Sequence, residues 1–306
     1  MQSAGAGLKP AHVQQKGNMD TKTFDTFRRI FYDTAGININ DNKLALVSAR
    51  VGKRMRELGH TSDRDYLKFL IDDSTGEEMV HLLDVISTNV THFFRESRHF
   101  DVLTAVVKEW VSLGLRKIKV WSAGCSSGEE PYTLAMVLRE AIGERGVEAR
   151  ILATDLSTRI LQKAAAGEYD ERKTADMPAV YRDRYFDKQG RGDSAVYRAS
   201  EGLREMIRFT RLNLSTVPFP MQGPFDVIFC RNVMIYFDND VRARLLGEFA
   251  RLLKPEGYLF VGHAESLTGM LSGFRSVEPS VYVKGGALLK PRHEKEHDTC
   301  THSVAS

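Results

Sequence analysis

The strongest constraint on this chain's fold is a change of texture near residue 100. Beyond Arg98, short apolar runs rich in β-branched residues alternate with amphipathic stretches of helical length, the mark of βαβ units wound around a parallel sheet. Strands are predicted at 117–122 (KIKVWS), 150–154 (RILAT), 206–211, 225–230 (FDVIFC) and 258–263 (YLFVGH), with a further one at 281–284. Helices are predicted over 131–142, 158–166 and 240–253, the last ended by Lys254-Pro255-Glu256-Gly257. Before Arg98 the period is helical throughout; Leu44, Val47, Val51, Met55 and Leu58 form one apolar stripe. The chain therefore divides into an all-helical domain over residues 21–98 and an α/β domain over 99–288.

Residues 1–20 and 289–306 are polar and aperiodic, and both are predicted to be disordered tails. With 306 residues, 42% of them hydrophobic and 27% charged, the chain has material for two modest cores. A formal net charge of +3 is too slight to argue for a nucleic-acid partner without a localised patch. No run approaches the roughly 18 apolar residues that cross a bilayer, and the N-terminus lacks the apolar core of an export signal. Neither membrane insertion nor export is expected. Cys125, Cys230 and Cys300 share no short spacing, and the HEKEH stretch near the C-terminus has no partner ligands nearby in sequence. That pattern suggests neither a disulfide framework nor a metal site and fits a reducing cytoplasm.

Four strand ends carry polar residues where a doubly wound sheet binds its ligands. The first is KVWSAGCSSGEEPYTLAMVL: a buried strand, a loop with Gly124 and Gly128, and a helix opening near Glu130-Pro131. Glycines there let backbone approach a ligand closely. The loop holds neither Gly-Lys-Ser/Thr nor a full G-x-G-x-x-G, and Glu129-Glu130 would repel phosphate, so a nucleoside with cationic groups suits it better. Both glutamates also read as charges favoured at a helix N-terminus. Asp155, directly after RILAT, stands where a carboxylate accepts both ribose hydroxyls, while it or Ser157 also reads as the cap of the next helix. Asn213-Leu214 is a short polar turn of the kind that reads an adenine edge through backbone amides, and Arg231-Asn232 ends FDVIFC before residues 233–237.

Together these residues resemble the chemotaxis receptor methyltransferases of the CheR family. The most specific parts are Ser87-Thr88-Asn89-Val90-Thr91-His92-Phe93-Phe94-Arg95-Glu96, residues 122–132 and residues 229–237, within a likeness spanning about residues 25–285. The resemblance implies an all-helical domain followed by a Rossmann-like methyltransferase domain, with a small β-subdomain inserted at about 185–205. It implies S-adenosylmethionine as co-substrate, whose sulfonium and ammonium suit the acidic loop. It further implies that Asn89, Thr91 and Arg95 reach the cofactor alongside Glu129, Asp155, Asn213, Leu214, Arg231 and Asn232. Read without the family, TNVTHFFRES is a helix start capped by Asn89 or Thr91. In the glycine loop, Gly124-Cys125-Ser126-Ser127 replaces the alanine, serine and threonine mixture of relatives, which makes Cys125 a small packing residue rather than a nucleophile.

The implied reaction is methylation of glutamate side chains on the cytoplasmic helices of membrane chemotaxis receptors, for sensory adaptation. A glutamate, with its pKa near 4.3, is already ionised at neutral pH, so no general base is required. Catalysis must come from alignment and exclusion of water, and Arg95 and Tyr236 are the candidates for orienting the acceptor carboxylate. Lys43, Arg50, Lys53, Arg54 and Arg56 crowd one helical segment. They read either as a solvated face or as a basic surface that steers an acidic receptor helix. Gly190 and Gly192 suit a hairpin whose edge could take a strand from a receptor's C-terminal peptide. A cytoplasmic monomer is expected. Two other readings fit the same residues: a carboxyl methyltransferase with another acceptor, and a non-catalytic signalling scaffold that binds S-adenosylmethionine.

Overall fold

A computed structural model describes residues 19–86, 91–192, 195–265, 267, 269–270 and 273–285. Helix α1 (Thr21–Ala35) starts where Asp20 accepts a bond from the Thr23 amide at 2.9 Å and stops at Gly36, whose φ of 67° is left-handed. Met19 is buried and Asp20 is this cap, so the packed chain begins inside the stretch expected to be tail. Helices α2 (Leu44–Leu58), α3 (Asp63–Asp72) and α4 (Glu77–Ile86) follow. Val47, Val51 and Met55 of the α2 stripe are buried with Phe24, Phe27 and Phe31 of α1, Tyr66 of α3 and Leu82 of α4. Leu58, at the last position before the left-handed Gly59, is exposed instead.

Helix α5 (Arg98–Ser112) leads into the second domain. Its elements are β1 (Lys117–Ala123), α6 (Glu129–Ile142), β2 (Glu148–Asp155), α7 (Thr158–Ala166), β3 (Glu168–Asp170), α8 (Glu171–Thr174), α9 (Ala179–Tyr185), β4 (Phe186–Gln189), β5 (Val196–Ala199), α10 (Glu201–Arg204), β6 (Ile207–Arg211), β7 (Phe225–Cys230), α11 (Asn239–Leu252), β8 (Leu253–Val261), β9 (Phe274–Glu278) and β10 (Val281–Lys284). Seven strands form one sheet in the order β6-β2-β1-β7-β8-β10-β9. The first five are parallel, and β10 and β9 close the edge antiparallel. Leu103 and Val107 of α5 and Leu134 and Leu138 of α6 share a core with Ile118 and Val120, on one face of β1. Leu245 and Phe249 of α11 share another with Trp121 and Ala123, on the opposite face. This alternation along one strand is the period of two expressed in a sheet covered on both sides.

The small antiparallel sheet, order β3-β5-β4, is the inserted β-subdomain. Its third strand comes from Glu168–Asp170, upstream of the 185–205 stretch expected to supply it. Two other expectations are corrected. TNVTHFFRES does not begin a helix at Thr91, and the alternative cap, Asn89, lies outside the described residues. Phe94 and Glu96 have φ of 56° and 53°, so the chain makes left-handed turns before α5 opens at Arg98. The strand expected at 258–263 begins at Leu253, which pairs with Phe225, and Lys254-Pro255-Glu256-Gly257 bulges out before Tyr258 pairs with Val227.

The domains are joined beside the switch point. Asn213 Nδ2 donates to the Thr34 carbonyl at 2.8 Å, the Asn38 amide to the Tyr236 carbonyl at 2.8 Å, and Tyr32 to Asp238 at 2.7 Å. Gly36 sits in this seam, and a Cβ there would fall 2.5 Å from Ser215 Cβ. Gly36→Ala therefore combines a left-handed backbone with a clash and should lower stability by roughly 1–3 kcal/mol. Denaturant unfolding against the parent chain measures this, and equal midpoints would mean that the seam is not held as described.

Candidate functional site

Strands β2 and β6 lie to one side of β1 and β7 and β8 to the other, so the order reverses between β1 and β7, where an open sheet leaves a crevice at its carboxyl ends. A cavity of about 610 Å³ occupies that place. Its walls include Gly124, Cys125 and Ser126 after β1, Asp155 and Leu156 after β2, and Leu212, Asn213 and Leu214 after β6. Arg231, Asn232, Tyr236 and Phe237 line it after β7. From the segment between the domains come Thr91, His92 and Arg95, and from the turn after α1 come Ala35 and Ile37.

The loops are tied to one another by carboxylates. Asp155 accepts from the Ser126 amide at 2.9 Å and the Ser157 amide at 3.1 Å, linking the first loop to the second. The helix-capping role falls to Ser157, which accepts from the Ile160 amide at 3.1 Å. Glu265, also buried, accepts from the amides of Gly262, Asn232 and Met234 at 2.6, 3.0 and 2.7 Å. That grip holds Asn232 at its φ of 60°. Burial pushes the carboxyls of Asp155 and Glu265 above their ordinary range, against the pull of those amides.

Arg231 is the hub of the opposite wall. Its side chain is only 2% exposed, 3.3 Å from Glu96 and 3.5 Å from Glu130, and it lies over the rings of Phe100 and Phe229. It also donates to the carbonyl of Arg95. Glu130 in turn accepts from Ser122 Oγ at 2.7 Å. Burial alone would raise both carboxyls; it does raise Glu130, whereas the Arg231 charge and the His263 amide hold Glu96 below its usual range. Beside them His99 is buried, and burial, reinforced by the Arg231 charge, lowers its pKa to about 4.

Of the residues singled out in the sequence, Thr91, Arg95, Asp155, Asn213, Leu214, Arg231, Asn232 and Tyr236 line the one cavity. Asn89 lies outside the described residues. Glu129 is fully buried behind the loop, bonded to Ser127 Oγ at 2.7 Å and Lys173 Nζ at 2.6 Å, and its neighbour Glu130 lines the cavity in its place. The helix register decides this, because successive residues on a helix point about 100° apart. Asn213 turns its amide group to Thr34 and Ser215, which leaves its backbone for the cavity. Glu96 was noted only as the end of a motif, and Ala35, Ile37 and Glu265 went unnoticed in the sequence. Only the clustering of polar residues after YLFVGH hinted at the last.

The lining fits a nucleoside bearing cationic groups. Glu130 and Asp155 supply acceptors for hydroxyl and ammonium donors, and Ile37, Leu156, Leu214 and Phe237 supply apolar walls for a base. The glycine at 124 is required, since a Cβ there would meet Val233 at 2.4 Å.

Comparison with known proteins agrees. Residues 22–87 match the family described as "CheR methyltransferase, all-alpha domain" and residues 89–283 match "CheR methyltransferase, SAM binding domain". A chemotaxis protein methyltransferase of Borreliella burgdorferi is 38% identical over 264 residues, covering 84% of this chain and 92% of that protein. One from Klebsiella aerogenes is 34% identical over 290 residues, covering 95% and 96%. One from Escherichia coli K12 is 36% identical over 260 residues, covering 84% and 90%.

Removing the hub would leave two carboxylates without their counter-charge. Arg231→Ala should cost roughly 3–5 kcal/mol at pH 7. The parent's Glu96 contribution is lost as pH falls through its lowered pKa, whereas the variant's uncompensated carboxyls are relieved by protonation. The gap between the two in denaturant titrations should therefore narrow from pH 7 toward pH 4; a gap that is small or constant would remove Arg231 from this role.

Proposed function

Because the chain belongs to the CheR methyltransferase family, we propose that it transfers the methyl group of S-adenosylmethionine to glutamate carboxylates on chemotaxis receptors, giving glutamate methyl esters. The observation that carries this reading is that Arg95 and Tyr236, far apart in sequence, line the same cavity as Glu130 and Asp155. Donors for an anionic acceptor and acceptors for a cationic donor thus share one chamber.

The bound co-substrate supplies an electrophilic methyl group on a sulfonium. Asp155 and the backbone at Asn213 and Leu214 hold the nucleoside, and Glu130 attracts its cationic end. Arg95 and Tyr236 present the acceptor carboxylate by hydrogen bonding, so that its oxygen meets the methyl carbon in line. No proton is taken up by the chain, because the acceptor is ionised before it binds. Phe237, Leu156 and Ile37 keep water from the line of attack.

The helical domain is the proposed receptor contact, in narrowed form. Arg54 is spent inside that domain on the buried Glu78, at 2.9 and 2.6 Å, and Arg50 donates to the Ile86 carbonyl. Lys43, Lys53 and Arg56 are the exposed cations of the segment and would steer an acidic helix. Strand β4, an outer strand of the small sheet, offers an edge to which a receptor's C-terminal peptide could add.

Purified chain, labelled S-adenosylmethionine and receptor cytoplasmic fragments should yield base-labile methanol. Arg95→Ala should lower kcat/KM about 100-fold or more with unchanged circular dichroism; near-parent turnover would sink the assignment, and absence of ester with any receptor fragment would sink the acceptor. Lys53→Glu with Arg56→Glu, and raised salt, should each raise KM for the receptor fragment while leaving co-substrate affinity alone. Since burial raises Asp155 and Glu130, co-substrate affinity should fall as pH drops, starting above the range of ordinary carboxylates; binding unchanged down to that range would contradict their role.

A further inference from the structure

Behind the Arg231 wall, three residues with ligand atoms converge that the methyl-transfer chemistry does not use as such. Glu96 Oε2 lies 3.5 Å from His99 Nδ1, and the His99 and His263 rings meet edge to face with centroids 5.0 Å apart. One ligand atom from each of Glu96, His99 and His263 lies within 4.8 Å of the others. His99 is 1% exposed, yet neither of its ring nitrogens has a hydrogen-bond partner; its Nδ1 faces Glu96 without the alignment of a hydrogen bond. A buried imidazole with both nitrogens unmatched is costly, and native proteins rarely leave one so. The rings of Phe229 and Phe260 also pack against His99 and offer it nothing polar. His263 is exposed and opens the cluster to solvent.

We propose that Glu96, His99 and His263 form a binding site for one borderline divalent metal ion, with Zn2+ the best match. Two imidazoles and one carboxylate are a recurrent zinc set that leaves a fourth position to water. Ligands about 2.0–2.1 Å from a tetrahedral zinc stand about 3.3 Å from one another, close to the Glu96–His99 distance. The exposed His263 side chain has only to swing inward to complete the set. The residues come from three places: Glu96 from the left-handed turn, His99 from the first turn of α5, and His263 from the turn just after β8. Glu96 is shared, because its Oε2 also faces Arg231 Nε at 3.3 Å while its Oε1 accepts from the His263 amide. An ion here would thus bear on the Arg231 wall of the cavity.

Cobalt(II) serves as the probe, because its visible absorption reports nitrogen and oxygen ligation, and zinc competition then gives the affinity of the native candidate. The C-terminal segment carries His293, His297, Cys300 and His302, an alternative source of ligands. The full chain should bind one equivalent in titrations. A variant with those four tail residues replaced should bind equally well. His263→Ala, at an exposed position, should bind about tenfold more weakly or worse, and His99→Gln should do the same if it folds. Undiminished affinity in His263→Ala, loss of binding in the tail variant, or no stoichiometric binding to the full chain would each overturn the site. None of these readouts depends on methyl transfer, so failure of the receptor assay and failure of this site are separate results.

Discussion

One wall of the cavity hangs on a guanidinium that is almost wholly withdrawn from solvent. Arg231 closes strand β7, and its side chain lies between Glu96, from the segment joining the domains, and Glu130, from the first turn of α6. Three elements distant in sequence are thereby fixed by one charge. The energetic worth of such a group is small or negative when compared with an apolar replacement, because desolvation offsets the attraction. Its value lies in position. An arginine that donates to the Arg95 carbonyl while two carboxylates hold its other nitrogens specifies where the Arg95 segment must sit. Apolar packing alone would tolerate slippage there.

Carboxylates perform the complementary task at the other strand ends. Asp155 joins the loops after β1 and β2, and Glu265 gathers three amides around Asn232. Glu265 is buried and Asp155 half-buried, each made tolerable by backbone N–H groups, and each replaces flexible loop with a fixed rim. The rim is completed by the helical domain, whose Ala35 and Ile37 reach the cavity because the left-handed Gly36 turns the chain onto Ser215. The helical domain is therefore a wall of the binding chamber as well as a neighbour of it.

How much of this was legible in the sequence depended on the range of the interactions. Strands β1, β2 and β7 could be read because each is an apolar run flanked by turn residues, and the glycine loop and Asp155 followed from their places at strand ends. The left-handed turns at Phe94 and Glu96 could not, since nothing in the residue types demands positive φ there; tertiary bonds hold them, from the Phe94 amide to Thr133 Oγ1 and from Glu96 to Arg231 and His263. Glu129 and Glu130 were indistinguishable as letters, and only the register of α6 separates a glutamate sealed by Lys173 from one that faces the cavity. Arg54's place on the exposed basic face of α2 could not be read for a similar reason: Glu78, on α4, claims it.

The division of charge within the cavity bears on how an uncatalysed proton ledger becomes possible. In the reaction proposed above, methyl transfer to a carboxylate would consume one positive and one negative charge, so such a chamber would have to welcome both and bind the neutral ester less well. A wall of opposed pairs does this. Glu130 is already partnered by Arg231, and Asp155 by two amides, so neither presents an unscreened charge that would bind the co-substrate tightly at the expense of turnover. Arg95, likewise, has its carbonyl held by Arg231 while the residue lines the cavity, which on the proposed reading favours orientation of an acceptor over its burial in a strong ion pair. A nucleophile held too firmly by arginine would lose the lone pair that attacks. The arrangement therefore favours moderate grips on both partners, with alignment rather than affinity lowering the barrier.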